Sequence, residues 1–260
     1  MKRIACEGLT AALNLGSREH LALVGGGGKT TLLRALAREL AQKGARVVAT
    51  TTTKVRRNEA FDMGRLILTD RDGWRESLER ALETEGIAFL GCRLLPTGKV
   101  EGVRPELPDL LFSRKEADVV LVEADGAAGR PLKAPKPSEP VIPSTVTGVV
   151  AVAGLEALDR PLAEDHVFRM ERFRAVTGLA PGSPISASAV ARLFSSPAGL
   201  FQHTPEGVRR TAFFNKLDRV EDARTAHELA QRILDEHPDG PLSVILGSLF
   251  QGTYLCCERT

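Results

Sequence analysis

The chain of 260 residues has little cysteine and no CxxC pair. Cys6, Cys92, Cys256 and Cys257 are too scattered for a thiolate metal cluster, and they read as reduced thiols of a cytoplasmic protein rather than a secreted disulfide framework. Long apolar runs are missing as well. Nothing approaches the roughly 20 residues of a membrane-spanning helix, and "MKRIACEGLTAALNL" has a basic tip but no sustained apolar core, so neither a membrane span nor a signal peptide is expected. Charge of one sign is also absent: 35 Lys and Arg against 33 Asp and Glu leave a net charge of +2, which gives no electrostatic reason to expect nucleic acid or an anionic membrane as partner. The five histidines, His20, His166, His203, His227 and His237, form no HxH or HExxH signature. There is no internal repeat and no low-complexity linker. What is present, 43% hydrophobic and 26% charged residues, suffices for a real core in one large α/β domain.

The apolar pattern alternates between strands and helices. Leu21 to Val24 reads as a buried strand, and "KTTLLRALARELAQKG" places Leu32, Leu33, Leu36, Ala37 and Leu40 at helical spacing, with Gly44 as its cap. Residues 46–50 give the next strand, so a βαβ unit with a parallel sheet is expected. Residues 74–85 form a second helix, 91–108 a Gly- and Pro-broken loop, and "ADVVLVEADG" the clearest strand. "RPLKAPKPSEPVIPST", with five prolines, reads as an irregular loop. "TGVVAVAG" and "RTAFFNKLD" supply further strands, "VEDARTAHELAQRILDEH" a helix, and "GPLSVILGSL" a last strand. The simplest division is a single domain over residues 1–260 with a helical or irregular insertion around 155–207.

"VGGGGKTT" answers to one chemistry. Glycines let backbone N–H groups approach phosphates with no Cβ in the way, and the helix that follows adds unpaired N–H groups and a favourable dipole. Gly25, Gly26, Gly27 and Gly28 would form the cradle, Lys29 would reach the β- and γ-phosphates, the Thr30 hydroxyl would ligate Mg²⁺, and Thr31 would steady the α-phosphate of GTP or ATP. The loop fits GGxGKTT but neither longer consensus: Leu23 stands where GxxxxGK[ST] has a glycine, and Val24 where KGGxGK[ST] has a lysine. The expected fold class is therefore α/β, a three-layer P-loop NTPase with a mainly parallel central sheet flanked by helices.

Glu123 follows a buried strand, where P-loop enzymes place the acid that holds Mg²⁺ or its water, and Asp125 stands two residues on; both are candidates for the metal and for catalysis beside Lys29. Asn215, Lys216 and Asp218 match NKxD, whose aspartate reads the guanine edge while the lysine stem packs over the base, favouring GTP over ATP. "TTTTKV", residues 50–55, is either strand packing or a hydroxyl-rich switch near the γ-phosphate. Arg130, Lys133 and Lys136 are candidates for an anionic second substrate or plain exposed charge.

The segments "VGGGGKTT", "ATTTTK", "GKVEGV", "VEADGAAGRPLKAPKPSEPVIP", "EDHVFRMERF" and "FFNKLD", in order along nearly the whole chain, resemble the YqeC family, described as selenium-dependent hydroxylase accessory proteins. The resemblance implies a cytoplasmic P-loop protein that uses Mg²⁺ and GTP or ATP in the maturation of selenium-dependent molybdenum hydroxylases. It is similar in outline to the urease and hydrogenase accessory GTPases. It implies a site at Glu123, Asp125, Arg130, Lys133 and Lys136, with a molybdenum hydroxylase or its cofactor as partner and a homodimer left open. A kinase or nucleotidyl transferase acting on a molybdopterin-type precursor, and a nucleotide-switched scaffold, are the alternatives.

Overall fold

A computed structural model describes residues 1–236 and 242–258. The chain begins with β1 (Lys2–Cys6), α1 (Gly8–Ala12), β2 (Glu19–Gly25), α2 (Lys29–Gln42) and β3 (Val47–Thr51). Then come β4 (Lys54–Arg56), α3 (Arg57–Phe61), β5 (Arg65–Leu68), α4 (Trp74–Thr84), β6 (Ile87–Gly91) and β7 (Lys99–Glu101). The middle of the chain holds α5 (Glu106–Ser113), β8 (Val119–Glu123), β9 (Leu132–Lys133), β10 (Gly148–Gly154), β11 (Val167–Phe168), α6 (Met170–Thr177) and α7 (Ala187–Ser195). It closes with β12 (Arg209–Asn215), α8 (Ala223–Glu236), β13 (Leu242–Ser248) and β14 (Thr253–Glu258).

The main sheet has ten strands in the order β1-β14-β13-β12-β10-β2-β8-β3-β6-β5. Every pairing from β13 through β5 is parallel; only β14 runs antiparallel to β13 and β1. Both faces are covered, as the near-continuous apolar runs require. In β2, Leu21 and Leu23 point into a core with Leu32, Leu33 and Leu36 of α2, while Ala22 and Val24 point to the opposite core with α7 and α8. Val120 and Val122 of β8 face α4 and α5 through Leu78, Leu82 and Leu111. The result is the expected three-layer α/β fold with a mainly parallel sheet between helices. Phe173, Ile185, Val190 and Phe194, from the 155–207 stretch, belong to the same apolar cluster as Val149 and Ala151 of β10.

Three expectations change. Residues 91–108 are not plain loop: β7 pairs antiparallel with β4, and Pro108 sits in the first turn of α5, where a missing N–H costs no helical hydrogen bond. "GPLSVILGSL" is not the last strand, because β14 follows it and pairs with it; Gly240 and Pro241, like His237, lie outside the described residues. Finally, Cys6 and Cys256, remote in sequence, meet across β1 and β14 as a disulfide, while Cys92 and Cys257 carry free thiols. The reduced-thiol reading therefore fails for that pair, since strand pairing brings together what spacing could not reveal.

Candidate nucleotide site

The glycine run lies between the end of β2 and the start of α2, at the carboxyl edge of the sheet. Gly25 and Gly27 have φ of +95° and +74°, open to glycine at little cost. Neighbouring backbone also presses on them from behind: a Cβ at Gly25 would strike the Val152 carbonyl oxygen, and one at Gly27 the Gly154 amide nitrogen. Three of the loop's amides are held by the protein. Gly25 N donates to Asp125, Gly26 N to Val152 O at 2.9 Å, and Gly27 N to Arg130 O at 3.0 Å. The amides of Gly28, Lys29, Thr30 and Thr31 find no acceptor among the described residues. Four such groups at one helix N-terminus form a ready anion site.

Beside them, Lys29 is 3% exposed, and its Nζ donates to Gly25 O at 2.6 Å while lying 3.2 Å from Asp125 and 3.6 Å from Glu123. Burial works against its charge, but the carboxylates of Asp125 and Glu123 outweigh it and hold the ammonium above its ordinary range. Thr30 Oγ1 donates to Glu123 Oε2 at 3.0 Å, linking helix start to strand end. Burial pushes the Glu123 carboxyl up, opposed by Lys29 and Thr30. The two acids differ in access: Glu123 is 13% exposed at the mouth, while Asp125 is fully enclosed between the Gly25 amide, Lys29 and Lys133. Among the described residues no three His, Cys, Asp or Glu side chains gather as a self-contained metal site. One hydroxyl and one carboxylate suit Mg²⁺, which keeps water and phosphate as its other ligands.

The basic trio of the proline-rich loop does not converge. Lys133 is fully buried, its ammonium 2.9 Å from Asp125 and 2.8 Å from Glu139. Arg130 pairs with Asp165 at 3.5 Å, and Lys136 alone is exposed. An anionic second substrate cannot reach Lys133, so the three do not form the surface patch that the sequence suggests. Glu139 and Arg169 are the residues that sequence reasoning missed. Arg169 grips Glu139 with both terminal nitrogens, Nη2 to Oε1 at 2.7 Å, so a charged chain runs from the loop's Gly25 amide through Asp125, Lys133 and Glu139 to the start of α6. Their only sequence signal was membership in the segments "LKAPKPSEP" and "HVFRMERF".

Burial raises the Glu139 carboxyl, but Arg169 and Lys133 outweigh it and bring it down to about 2 from an ordinary 4.5. A depressed acid stabilises the fold fully above its unfolded value and loses that contribution as pH falls through the folded one. Glu139→Gln is therefore expected to be less stable than the parent at neutral pH, with the difference shrinking between about pH 4.5 and 2; urea melts across that window check it.

At the other end of the loop, Asn215 Nδ2 donates to Gly27 O at 2.9 Å, and Asn215 Oδ1 accepts from Leu249 N at 3.1 Å. Lys216 pairs with Glu156, and Asp218 is exposed. The threonine hydroxyls are all taken up by nearby groups. Thr50 donates to Leu90 O, Thr51 to Glu123 O, and Thr52 to Val141 O, while Thr53 meets Thr51. Gly102, of "GKVEGV", packs directly on this backbone and donates to Thr53 O at 2.5 Å. The two segments thus brace each other and the strand end that carries Glu123.

A family profile described as "YqeC protein" matches residues 21–171. "Uncharacterized protein YqeC" of Escherichia coli (strain K12) is 37% identical over 223 residues, 84% of this chain and 85% of that one. Among solved structures, chloroplast FtsY from Physcomitrella patens aligns with TM-score 0.42 and 16% identity over 89% of this chain. This chain spans only 60% of that FtsY. The hydrogenase maturation factor HypB from Archaeoglobus fulgidus aligns with TM-score 0.42 and 12% identity, covering 93% of this chain and 86% of that one.

Proposed function

Because the chain belongs to the YqeC family, we propose that it is a Mg²⁺-dependent nucleoside triphosphatase, GTP favoured over ATP, that drives a step in the maturation of selenium-dependent molybdenum hydroxylases. The observation that carries the nucleotide part is the Thr30–Glu123 hydrogen bond of 3.0 Å beside four amides with no protein acceptor. In this reading the amides of Gly28 to Thr31 bind phosphate oxygens. Lys29 swings from Gly25 O to the β- and γ-phosphates, exchanging protein carboxylates for phosphate charge. Thr30 and Glu123 would hold Mg²⁺, which when bound neutralises phosphate charge. Asp125, enclosed by Gly25 and Lys133, fixes the loop's conformation and leaves the metal to Glu123. The transferase alternative needs a cationic loop facing a second substrate, and Lys133 facing inward removes its central residue.

Base choice falls to Asp218, which would accept two hydrogen bonds from guanine, each charge-assisted and worth about 1.5–3 kcal/mol. GTP is then expected to bind at least about tenfold more tightly than ATP, and Asp218→Asn to shift preference toward the xanthine nucleotide. Calorimetric titration with each nucleotide and Mg²⁺ checks both. Equal affinities, or tighter ATP, would overturn the guanine assignment; no binding of either would overturn the nucleotide reading itself.

A further inference from the structure

Phe250 is 92% exposed, and among the described residues the other large apolar side chain left in water, Leu94, is only 39% exposed. A lone exposed ring is ordinary on a protein surface; the location of this one is not. β12 and β13 are parallel neighbours, with Phe214 opposite Leu246. The segments leaving their carboxyl ends, Lys216–Arg219 and Leu249–Gly252, therefore stand side by side at the edge that carries the glycine loop. Asn215 ties them together and to Gly27 O through its bonds of 3.1 and 2.9 Å. The turn bearing Phe250 is also braced. Gln251 N donates to Ser248 Oγ at 3.1 Å, Gly252 N donates to Ser248 O at 2.9 Å, and Gly252 takes φ +67°. So braced, the turn holds the ring out in water instead of letting it settle on the core. On the facing segment, the Asp218 carboxylate is exposed and takes no hydrogen bond or ion pair among the described residues.

We infer that Phe250 is the stacking platform for the nucleobase. With phosphates in the cradle, the base occupies the gap between the two segments, its edge toward Asp218 and one face on the phenyl ring. Division of labour follows from the chemistry. Every base has a π-face, so Phe250 supplies affinity for nucleosides without discriminating among them, while Asp218 discriminates. The inference rests on the nucleotide reading above, and the test separates the two.

Parent protein, Phe250→Ala, Phe250→Tyr and Lys29→Ala are titrated with GTP, ATP and inorganic tripolyphosphate, each with Mg²⁺. Loss of the ring is expected to weaken both nucleotides about five- to a hundredfold and to leave tripolyphosphate affinity where it was; the tyrosine variant should bind as the parent does. If Phe250→Ala binds both nucleotides like the parent while Lys29→Ala loses them, the stacking role is overturned and the nucleotide reading stands. Equal weakening of tripolyphosphate would also overturn it, since the ring would then act on the cradle. A parent protein that binds no nucleotide overturns both.

Discussion

Lys29→Ala is expected to weaken binding of GTP with Mg²⁺ by at least about a hundredfold, because two charge-assisted hydrogen bonds to phosphate, about 1.5–3 kcal/mol each, disappear together. Tripolyphosphate should lose affinity to the same degree, since the lost contacts involve phosphate alone. The unliganded protein should still fold: Asp125 keeps Lys133 at 2.9 Å and the Gly25 amide, and Glu123 keeps Thr30. Calorimetry for affinity and circular dichroism for folding check the two halves. An affinity within about threefold of the parent's, well under 1 kcal/mol, would exclude Lys29 from the phosphate site.

The second large effect is on stability. Lys133→Met is expected to destabilise the fold by about 3–5 kcal/mol, because it leaves two carboxylates, Asp125 and Glu139, without the buried cation between them. At roughly 2–4 °C per kcal/mol for a chain of this size, the melting temperature should fall by about 10 °C. An exposed lysine would cost within about 0.5 kcal/mol. A variant that melts with the parent yet binds an anionic acceptor less well would return Lys133 to the surface role suggested by its sequence.

The parts of the site that were legible in the sequence are those whose chemistry is local. The glycine run, Lys29 and Thr30 are contiguous, and the strand and helix around them follow from apolar spacing over a few residues. Glu123 was legible because it ends the clearest strand, but its difference from Asp125 in access was not: Asp125 is enclosed under Lys133, a residue of another strand. Lys133 itself was misleading, since a lysine in a proline-rich stretch has the composition of exposed loop, and only the pairing of β9 with β11 carries it inward beside Arg169. The threonine run was equally ambiguous on paper, because its hydroxyls are committed to carbonyls of Leu90, Glu123 and Val141, none of them near in sequence. At the sheet's far edge, β1 and β14 lack the continuous apolar run that marks the interior strands, and their pairing joins opposite ends of the chain.

That last pairing orders events in the making of the protein. Among the described residues β1 hydrogen-bonds within the sheet only to β14, Lys2 opposite Glu258, and the cysteines they carry are 250 positions apart. During synthesis, at about 5–20 residues per second, β1 has to wait for β14, which lies some 250 positions further along the chain. The cradle strand β2 can meanwhile pair with β8 and β10, so the phosphate-binding edge can take shape while the opposite margin is still unfinished. Closing so long a loop comes late in folding, and contacts made after the rate-limiting barrier chiefly govern how fast the native state comes apart. The β1–β14 seam is therefore expected to act as a latch, with variants that weaken it unfolding faster while folding at nearly the parent's rate.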